Sequence, residues 1–130
     1  MPYSRVQQYE NLNNVRAKTL EIALFSTNPG ASGTGTELTA SGGYARQSIT
    51  FAAPQVGGGG AYIANDTLIN FGAASGDYSA AISYWAVYEV GGDLVTYGVF
   101  QELGVDSTRT IRTGDAFRIA IGTIIIRERD

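Results

Sequence analysis

The sequence contains no cysteine and no histidine, and its only lysine is Lys18. Without cysteine, no disulfide can staple the fold, and thiol chemistry and thiolate metal sites are excluded. Without histidine, the usual catalytic triads and histidine-ligated zinc sites are excluded as well. The sequence therefore predicts no metal, no cofactor and no enzyme, and it is compatible with a reducing cytoplasm.

Carboxylates are the catalytic groups that these absences leave open, because paired acids can hydrolyse glycosides. The acids to consider are Asp66, Asp77, Asp93 and Asp115. The last three each follow a glycine, a position where aspartate commonly accepts a hydrogen bond within a turn. The sequence therefore predicts turn roles for them, with a carbohydrate-processing enzyme as the alternative.

Long apolar runs are also missing, so no segment approaches the roughly 20 residues of a membrane-spanning helix. The first 14 residues lack the apolar stretch of a signal peptide. The net charge of −3 and the pI near 4.8 argue against a nucleic-acid surface. We therefore expect a soluble protein with no membrane or nucleic-acid partner.

Glycine and alternating apolar residues dominate what is present, with 17 glycines and 44% hydrophobic residues. In Thr19–Ser26, leucine and isoleucine occupy every second position, which is typical of a strand. Similar segments suggest about eight short strands and therefore an all-β antiparallel sandwich. The other predicted strands are Tyr44–Phe51, Thr67–Phe71, Ala80–Val90, Leu94–Glu102, Ser107–Arg112, Ala116–Ile121 and Thr123–Glu128.

Short glycine turns separate several of these strands. Gly91–Asp93 predicts a hairpin between Ala80–Val90 and Leu94–Glu102, and Thr113–Asp115 predicts a second hairpin. The four glycines Gly57–Gly60 predict a flexible connection. No internal repeat interrupts the pattern, so residues 19–130 are expected to form one domain.

Residues 1–18 form a separate N-terminal arm in this interpretation. They carry three basic residues against one acidic residue, whereas the remainder carries six arginines against eleven carboxylates. Apolar residues recur at every third position, which suits either a short helix or an extended arm. The candidate contacts of this arm with a partner protein are Arg5, Val6, Tyr9, Leu12, Val15 and Arg16.

The predicted strand Ala80–Val90 is apolar on both faces, and Thr123–Arg127 is similar. In a single small sandwich one face should meet water, so the pattern predicts an interface between copies of the chain. The candidate interface residues are Tyr84, Trp85, Tyr88, Ile124 and Ile126.

Arginines and aromatic residues also gather in the second half of the chain. The five arginines from Arg109 to Arg129 lie among acids, so ion pairs within or between subunits are expected, with a phosphate-binding patch as the alternative. The aromatic residues are expected to pack in the core or at a subunit interface, with a sugar-stacking surface as the alternative. They are Tyr78, Tyr84, Trp85, Tyr88, Tyr97 and Phe100.

Four segments resemble a family of small tailed-phage virion proteins, often labelled tail-fibre proteins, which also look like capsid decoration or cement proteins. The segments are Ala23–Leu38, Gly42–Pro54, Ile69–Glu89 and Thr113–Glu128. The resemblance implies a jelly-roll-like sandwich, symmetric oligomers and no enzymatic activity. Ala120 stands where family members often have proline, and residues 1–18 match poorly.

On this resemblance we expect a non-enzymatic protein of the outer virion surface, assembled in the host cytoplasm. The leading hypothesis is a capsid cement or decoration protein. Its partners would be itself, as a trimer, and the major capsid protein or another virion protein. The alternative is a tail-fibre or baseplate component that binds the host surface.

Overall fold

The computed structural model describes residues 4–57, 59–102 and 105–129. Within them the chain forms one α-helix, α1 (Arg5–Arg16), followed by short strands. The strands are β1 (Leu20–Phe25), β2 (Gln47–Ile49), β3 (Gln55–Val56), β4 (Gly60–Ala64), β5 (Ile69–Ala73), β6 (Tyr84–Glu89), β7 (Leu94–Val99), β8 (Gln101–Glu102), β9 (Val105–Asp106), β10 (Ala116–Ile119) and β11 (Ile125–Arg129).

All strand pairs are antiparallel. One sheet has the order β2-β1-β6-β7 and a second has the order β11-β4-β3, while β10 pairs with β5 and β8 with β9. The prediction of a mostly antiparallel β protein is confirmed, and of the two forms left open for the N-terminal residues the structure shows the short helix. This strand order does not establish a jelly roll, which stays a prediction.

The main core lies against one face of the four-stranded sheet. Alternate residues of β1 and β6 enter it, because successive side chains of a strand point to opposite faces. Each fully buried leucine or isoleucine contributes about 1.5–3 kcal/mol of transfer free energy. The residues of this core with the least exposure include Leu12, Ile22, Leu24, Ile63, Ile82, Val87 and Ile124.

The other face of the same sheet is also buried within the chain. Ala23, Phe25 and Ala86 form a second, smaller core cluster there. The loop between β1 and β2 lies against it, since a Cβ added at Gly33 would stand only 2.8 Å from the Tyr88 hydroxyl. The two-faced apolar pattern of β6 is therefore satisfied inside one chain and does not by itself require another copy.

Helix α1 begins at an N-cap, where the Ser4 hydroxyl accepts a hydrogen bond from the Gln7 amide at 3.2 Å. Leu12 is 1% exposed and belongs to the main core. The buried side chain of Gln8 accepts a hydrogen bond from the backbone amide of Ala61, in β4, at 3.1 Å. Among the described residues, no helix has the length and hydrophobicity that a membrane span needs.

The predicted contact residues of the arm lie around this helix on different sides. Arg16 donates from Nε to the Phe51 carbonyl at 3.1 Å, whereas Val6 is 74% exposed. Tyr9 and Val15 are half-buried against the core, and Arg5 donates to Gln8. These contacts favour a helix that is part of the fold, while the division into residues 1–18 and 19–130 stays a prediction.

Two local predictions were wrong, and the sequence does not predict strands β3 and β4. Gly57 and Gly59 lie between these two strands, as a glycine connection requires, and among the described glycines of this run only Gly60 belongs to a strand. Ser107–Arg112 forms no strand, only a bridge between Arg109 and Ile82. The turn at Thr113–Asp115 exists, but it closes no hairpin because β10 pairs with β5 instead. The hairpin of β6 and β7 is confirmed.

Candidate functional site

A cavity of about 380 Å³ opens beside β6, β7 and β10. This volume lies within the range of small-molecule sites, about 300–1,000 Å³. We call it the arginine cleft and define it by six of its lining residues: Trp85, Phe100, Arg109, Phe117, Arg118 and Ile119.

Aromatic rings and a few aliphatic side chains line the apolar part of the cleft. Trp85 is 8% exposed, and a Cβ added at Gly98 would lie 2.7 Å from its Cε2 atom. The indole therefore rests directly on the β7 backbone, where no other residue type leaves enough room. Phe100 and Phe117 meet edge to face with their centroids 5.7 Å apart. Such contacts hold the wall in one arrangement.

Arg109 and Arg118 supply the charge of the cleft. Arg109 is held by two backbone hydrogen bonds with Ile82, at 2.7 and 2.8 Å, and Arg118 lies in β10 opposite Asn70. Both side chains are exposed, and neither makes a hydrogen bond or an ion pair with a described residue. No carboxylate is among the described residues that line the cleft. The cleft is therefore positive on an acidic protein.

The ion pairs predicted for the late arginines are not formed by the side chains that the structure describes. The side chain of Arg112, like those of Arg109 and Arg118, has no hydrogen-bond or ion-pair partner within the described chain. Arg127 lies over the Tyr62 ring at 5.1 Å and donates to the Gly57 carbonyl at 2.8 Å. Ion pairs within the chain are therefore absent for these arginines among the described side chains, whereas ion pairs between subunits stay a prediction. The side chain of Arg129 lies outside the described residues.

Arg46, in contrast, is surrounded by partners. It donates two hydrogen bonds to the Glu37 carboxylate, at 2.7 and 2.9 Å, and a third to Glu21 at 3.0 Å. Its guanidinium also lies 4.2 Å from the centroid of the Tyr88 ring. The Tyr44 hydroxyl donates to Glu37 at 2.7 Å. This network fastens the β1–β2 loop to the outer face of the sheet.

The network changes the pKa values of its members. Burial raises the pKa of Glu37, but the hydrogen bonds from Arg46 and Tyr44 outweigh it, so the pKa lies below its ordinary value. Burial, with the Glu37 carboxylate nearby, raises the pKa of Tyr44. The hydrogen bond to Glu37 raises the pKa of Arg46. The carboxylate and the guanidinium are therefore both charged around neutral pH.

The aspartates considered for catalysis act mainly as structural acceptors. Asp115 accepts from the Arg112 amide at 3.0 Å, within the turn before β10. Asp77 accepts from the amide and hydroxyl of Thr113, which joins two loops. Asp66 accepts from the Thr50 hydroxyl at 2.5 Å. Within residues 4–57, 59–102 and 105–129 no three acidic side chains gather as a metal site would require.

The candidate interface residues are distributed over several surfaces. Tyr84 and Tyr88 are half-buried against the smaller core cluster, and Ile126 is half-buried against the main core. Ile124 is fully buried, so it cannot contact another chain in this structure. Trp85 lies in the arginine cleft instead. Self-association itself stays a prediction.

Two buried polar side chains are not predicted by any pattern in the sequence. Asn65 donates to the carbonyls of Thr67 and Ala120 and accepts from the Ile124 amide, at 2.9–3.1 Å. Its amide thus joins the β4–β5 connection to the turn before β11. Gln8 has a similar role between α1 and β4. Neither stands in a sequence motif, so only the structure could identify them.

A wider groove of about 550 Å³ runs beside Tyr62 and Arg127. Its edge includes Ile121, which is 65% exposed. Arg127 is already engaged with the Tyr62 ring and the Gly57 carbonyl, and the acidic Asp66 lies on the same wall. The groove therefore lacks the uncompensated charge that distinguishes the arginine cleft.

Comparison with protein-family models relates the chain to proteins of known type. Residues 8–127 match the model described as podophage GP4 fiber I protein gp80. The matched region includes most of α1, which the resemblance seen in the sequence had left out. Comparison with curated proteins gave no match. Since the matched residues span nearly the whole chain, the protein belongs to this family of phage fibre proteins.

Proposed function

We propose that the protein is a non-enzymatic subunit of a phage tail fibre and that it takes part in contact with the host surface. Membership of the fibre family makes the chain a structural component of the virion. The finer assignment, to a fibre part that touches the host, is supported by the exposed arginine cleft. A binding surface of this kind suits a fibre better than it suits a protein that only cements a coat.

The observation that carries the proposal is the family match over residues 8–127. This match favours a fibre protein over the capsid cement protein, which is the leading hypothesis from the sequence. The reason is that the description of the family names a fibre protein. The structural engagement of Asp66, Asp77 and Asp115 supports a binding role rather than hydrolysis, since each carboxylate already accepts a hydrogen bond from the chain itself.

Self-association, with a trimer as the expected state, remains part of the proposal. Strand β7 is an edge strand that pairs only with β6 among the described strands. Its residues, LVTYGV, include no charge and no proline, the features that usually block pairing at a sheet edge. This edge supports association with a second chain in the fibre.

The experiment that tests the proposal locates the protein on the particle. Antibodies raised against the purified protein and labelled with gold should mark the tail fibres in electron micrographs. An antibody against the major capsid protein provides the control for head labelling. Gold distributed over the head shell, with none at the fibres, would contradict the proposal. It would support a capsid cement protein instead.

A second measurement addresses the absence of catalysis. The purified protein incubated with host surface polysaccharide should leave the chain-length distribution of the polysaccharide unchanged. Shortening of the chains that is lost in Asp66→Asn or Asp77→Asn would contradict the non-enzymatic part. Asp93→Asn serves as a control, because Asp93 is exposed in the β6–β7 turn.

A further inference from the structure

We propose that the arginine cleft binds a single acidic sugar unit, a hexose that carries a carboxylate or a phosphate group. The inference rests on the proposed function in host contact and names the chemical class of the ligand. Its starting point is the juxtaposition of two unpaired guanidinium groups with a wall of aromatic side chains.

The charge of the ligand follows from the arginines. Arg109 and Arg118 line one cavity, are exposed, and have no acidic partner within the described chain. Arginine donates in a planar fork that matches carboxylate and phosphate groups. Because no described carboxylate lines the cleft, an anion entering it does not compete with any described acidic side chain for the two arginines.

Backbone hydrogen bonds hold the main chain of both cleft arginines in place. Both backbone hydrogen bonds of Arg109 go to Ile82, which is fully buried in the main core. Arg118 belongs to a strand paired with β5. A site whose side chains start from rigid elements loses less conformational entropy on binding than a site on a loose loop.

The size and the apolar wall indicate a sugar ring rather than a bare anion. A cavity of about 380 Å³ is much larger than an inorganic ion needs and suits one small ring with its substituents. Trp85, Phe100 and Phe117 contribute apolar surface, against which the C–H face of a pyranose can lie. The polar Thr123 at the rim adds a hydroxyl that can reach a sugar hydroxyl.

An acidic peptide from another virion protein would also satisfy the arginines. The cleft is less suited to it, because an extended peptide needs a groove or a strand edge along which its backbone can bind. The exposed edge of β7 would serve that purpose better than this short cleft. We therefore assign the cleft to a sugar and treat peptide binding as an outcome that the test can reveal.

Trp85 makes the test specific, because it is the only tryptophan of the chain. In a ¹⁵N-labelled protein its indole N–H gives one signal, and this signal reports on the cleft. The probes are glucuronic acid, glucose 6-phosphate, neutral glucose, inorganic phosphate and a short glutamate-rich peptide. We expect a saturable shift of the indole signal with at least one acidic sugar and no comparable shift with glucose.

Arg109→Gln should weaken binding of the acidic sugar about tenfold, which is the loss of affinity expected when one charge-assisted hydrogen bond is removed. Arg112→Gln is the matched control, since Arg112 is exposed, unpaired among the described residues and outside the cleft lining. Binding by this control should equal that of the unchanged protein. Both variants are first checked for an unaltered amide spectrum.

Several results would overturn the inference. These are the absence of any shift with either acidic sugar, equal binding of glucose, equal or tighter binding of inorganic phosphate, or a response to the peptide alone. Equal weakening by both substitutions would also overturn it, since the effect would then be a general charge effect. A response to one acidic sugar only would support the inference and identify its anionic group.

Failure of this test is distinguishable from failure of the proposed function. A protein that labels the fibres but shows no sugar binding refutes the assignment of the cleft and leaves the fibre role intact. A protein that binds the acidic sugar but labels the head shell refutes the fibre role and leaves the binding site intact.

Discussion

Arg46 and Arg109 are the same residue type in two opposite situations. Arg46 meets two carboxylates and an aromatic ring within its own chain. Arg109 is exposed, lines a cavity and has no side-chain partner in the described part of the chain. The comparison indicates that Arg46 stabilises the fold, whereas Arg109 is available to a ligand. Charge alone could not separate them; the local partners do.

The largest effect in this comparison is expected for Arg46→Ala. The substitution leaves Glu37 and Glu21 partly buried without their cation, and it releases the loop from the Tyr88 ring. Since the Arg46 side chain retains 31% of its exposure, solvent screening reduces the loss below that of a fully buried pair. We expect the free energy of unfolding to fall by about 2 kcal/mol.

Urea denaturation measures this loss, and Arg112→Ala is the control. The control should change the free energy of unfolding by less than about 0.5 kcal/mol, as surface substitutions usually do. Equal stability of the two variants would remove the structural role assigned to Arg46.

The next largest loss of stability is expected for a substitution in the wall of the arginine cleft. Gly98→Ala places a Cβ against the Trp85 indole, so the ring or the β7 backbone must move. We expect a loss of about 1–2 kcal/mol from this overpacking and a changed fluorescence of Trp85. Gly76→Ala is the control, because its added Cβ would find its nearest atom at 3.6 Å. Unchanged Trp85 fluorescence in Gly98→Ala would contradict the close packing of the indole on the β7 backbone.

Acid should weaken the Arg46 network. The pKa of Glu37 in the folded chain lies below the ordinary value of 4.5. A lowered folded pKa stabilises the protein above the ordinary value, and this stability is lost as the pH falls through the folded pKa. Thermal unfolding followed from neutral to acidic pH should therefore show a falling midpoint below pH 4.5.

Glu37→Gln tests whether this carboxylate is responsible. The variant should be less stable at neutral pH, because the charge-assisted hydrogen bonds are weakened, and its midpoint should fall less steeply in acid. Parallel pH profiles for the two proteins would mean that other carboxylates control the acid response.

The smallest stability effect is expected for Arg109→Gln. No described side chain loses a partner, so unfolding should change by less than about 0.5 kcal/mol. Chemical denaturation beside the unchanged protein measures this. A loss as large as that of Arg46→Ala would show that Arg109 has a structural partner and would cancel the comparison.

Local features of the fold were predictable from the sequence. The hairpin of β6 and β7 follows from two alternating segments around Gly91–Asp93. The apolar spacing near the N-terminus allows the helix but does not distinguish it from an extended arm. The inward face of that helix was not predictable, because a spacing of three drifts around a helix of 3.6 residues per turn. Gln8 and Leu12 consequently face the core, while Val6 faces outward.

The pairing of distant strands and the contacts between distant side chains could not be predicted from the sequence. Alternation marks β10 as a strand but does not indicate that its partner is β5 rather than the segment before it. The apolar residues on both faces of β6 suggested another subunit, whereas a loop of the same chain covers the second face. The sequence shows that arginines are frequent after residue 108, but whether each of them forms an ion pair with an acidic side chain depends on tertiary contacts. The cleft could therefore be identified only from the structure.

Adsorption to host cells tests most directly whether the fibre protein contacts the host surface through the arginine cleft. Particles carrying Arg109→Gln, Arg112→Gln or the unchanged protein are mixed with cells, and the decline of unadsorbed particles is followed over time. We predict that Arg109→Gln slows adsorption severalfold, while Arg112→Gln behaves like the unchanged phage. Identical adsorption by all three particles, with equal amounts of fibre protein incorporated, would contradict the account.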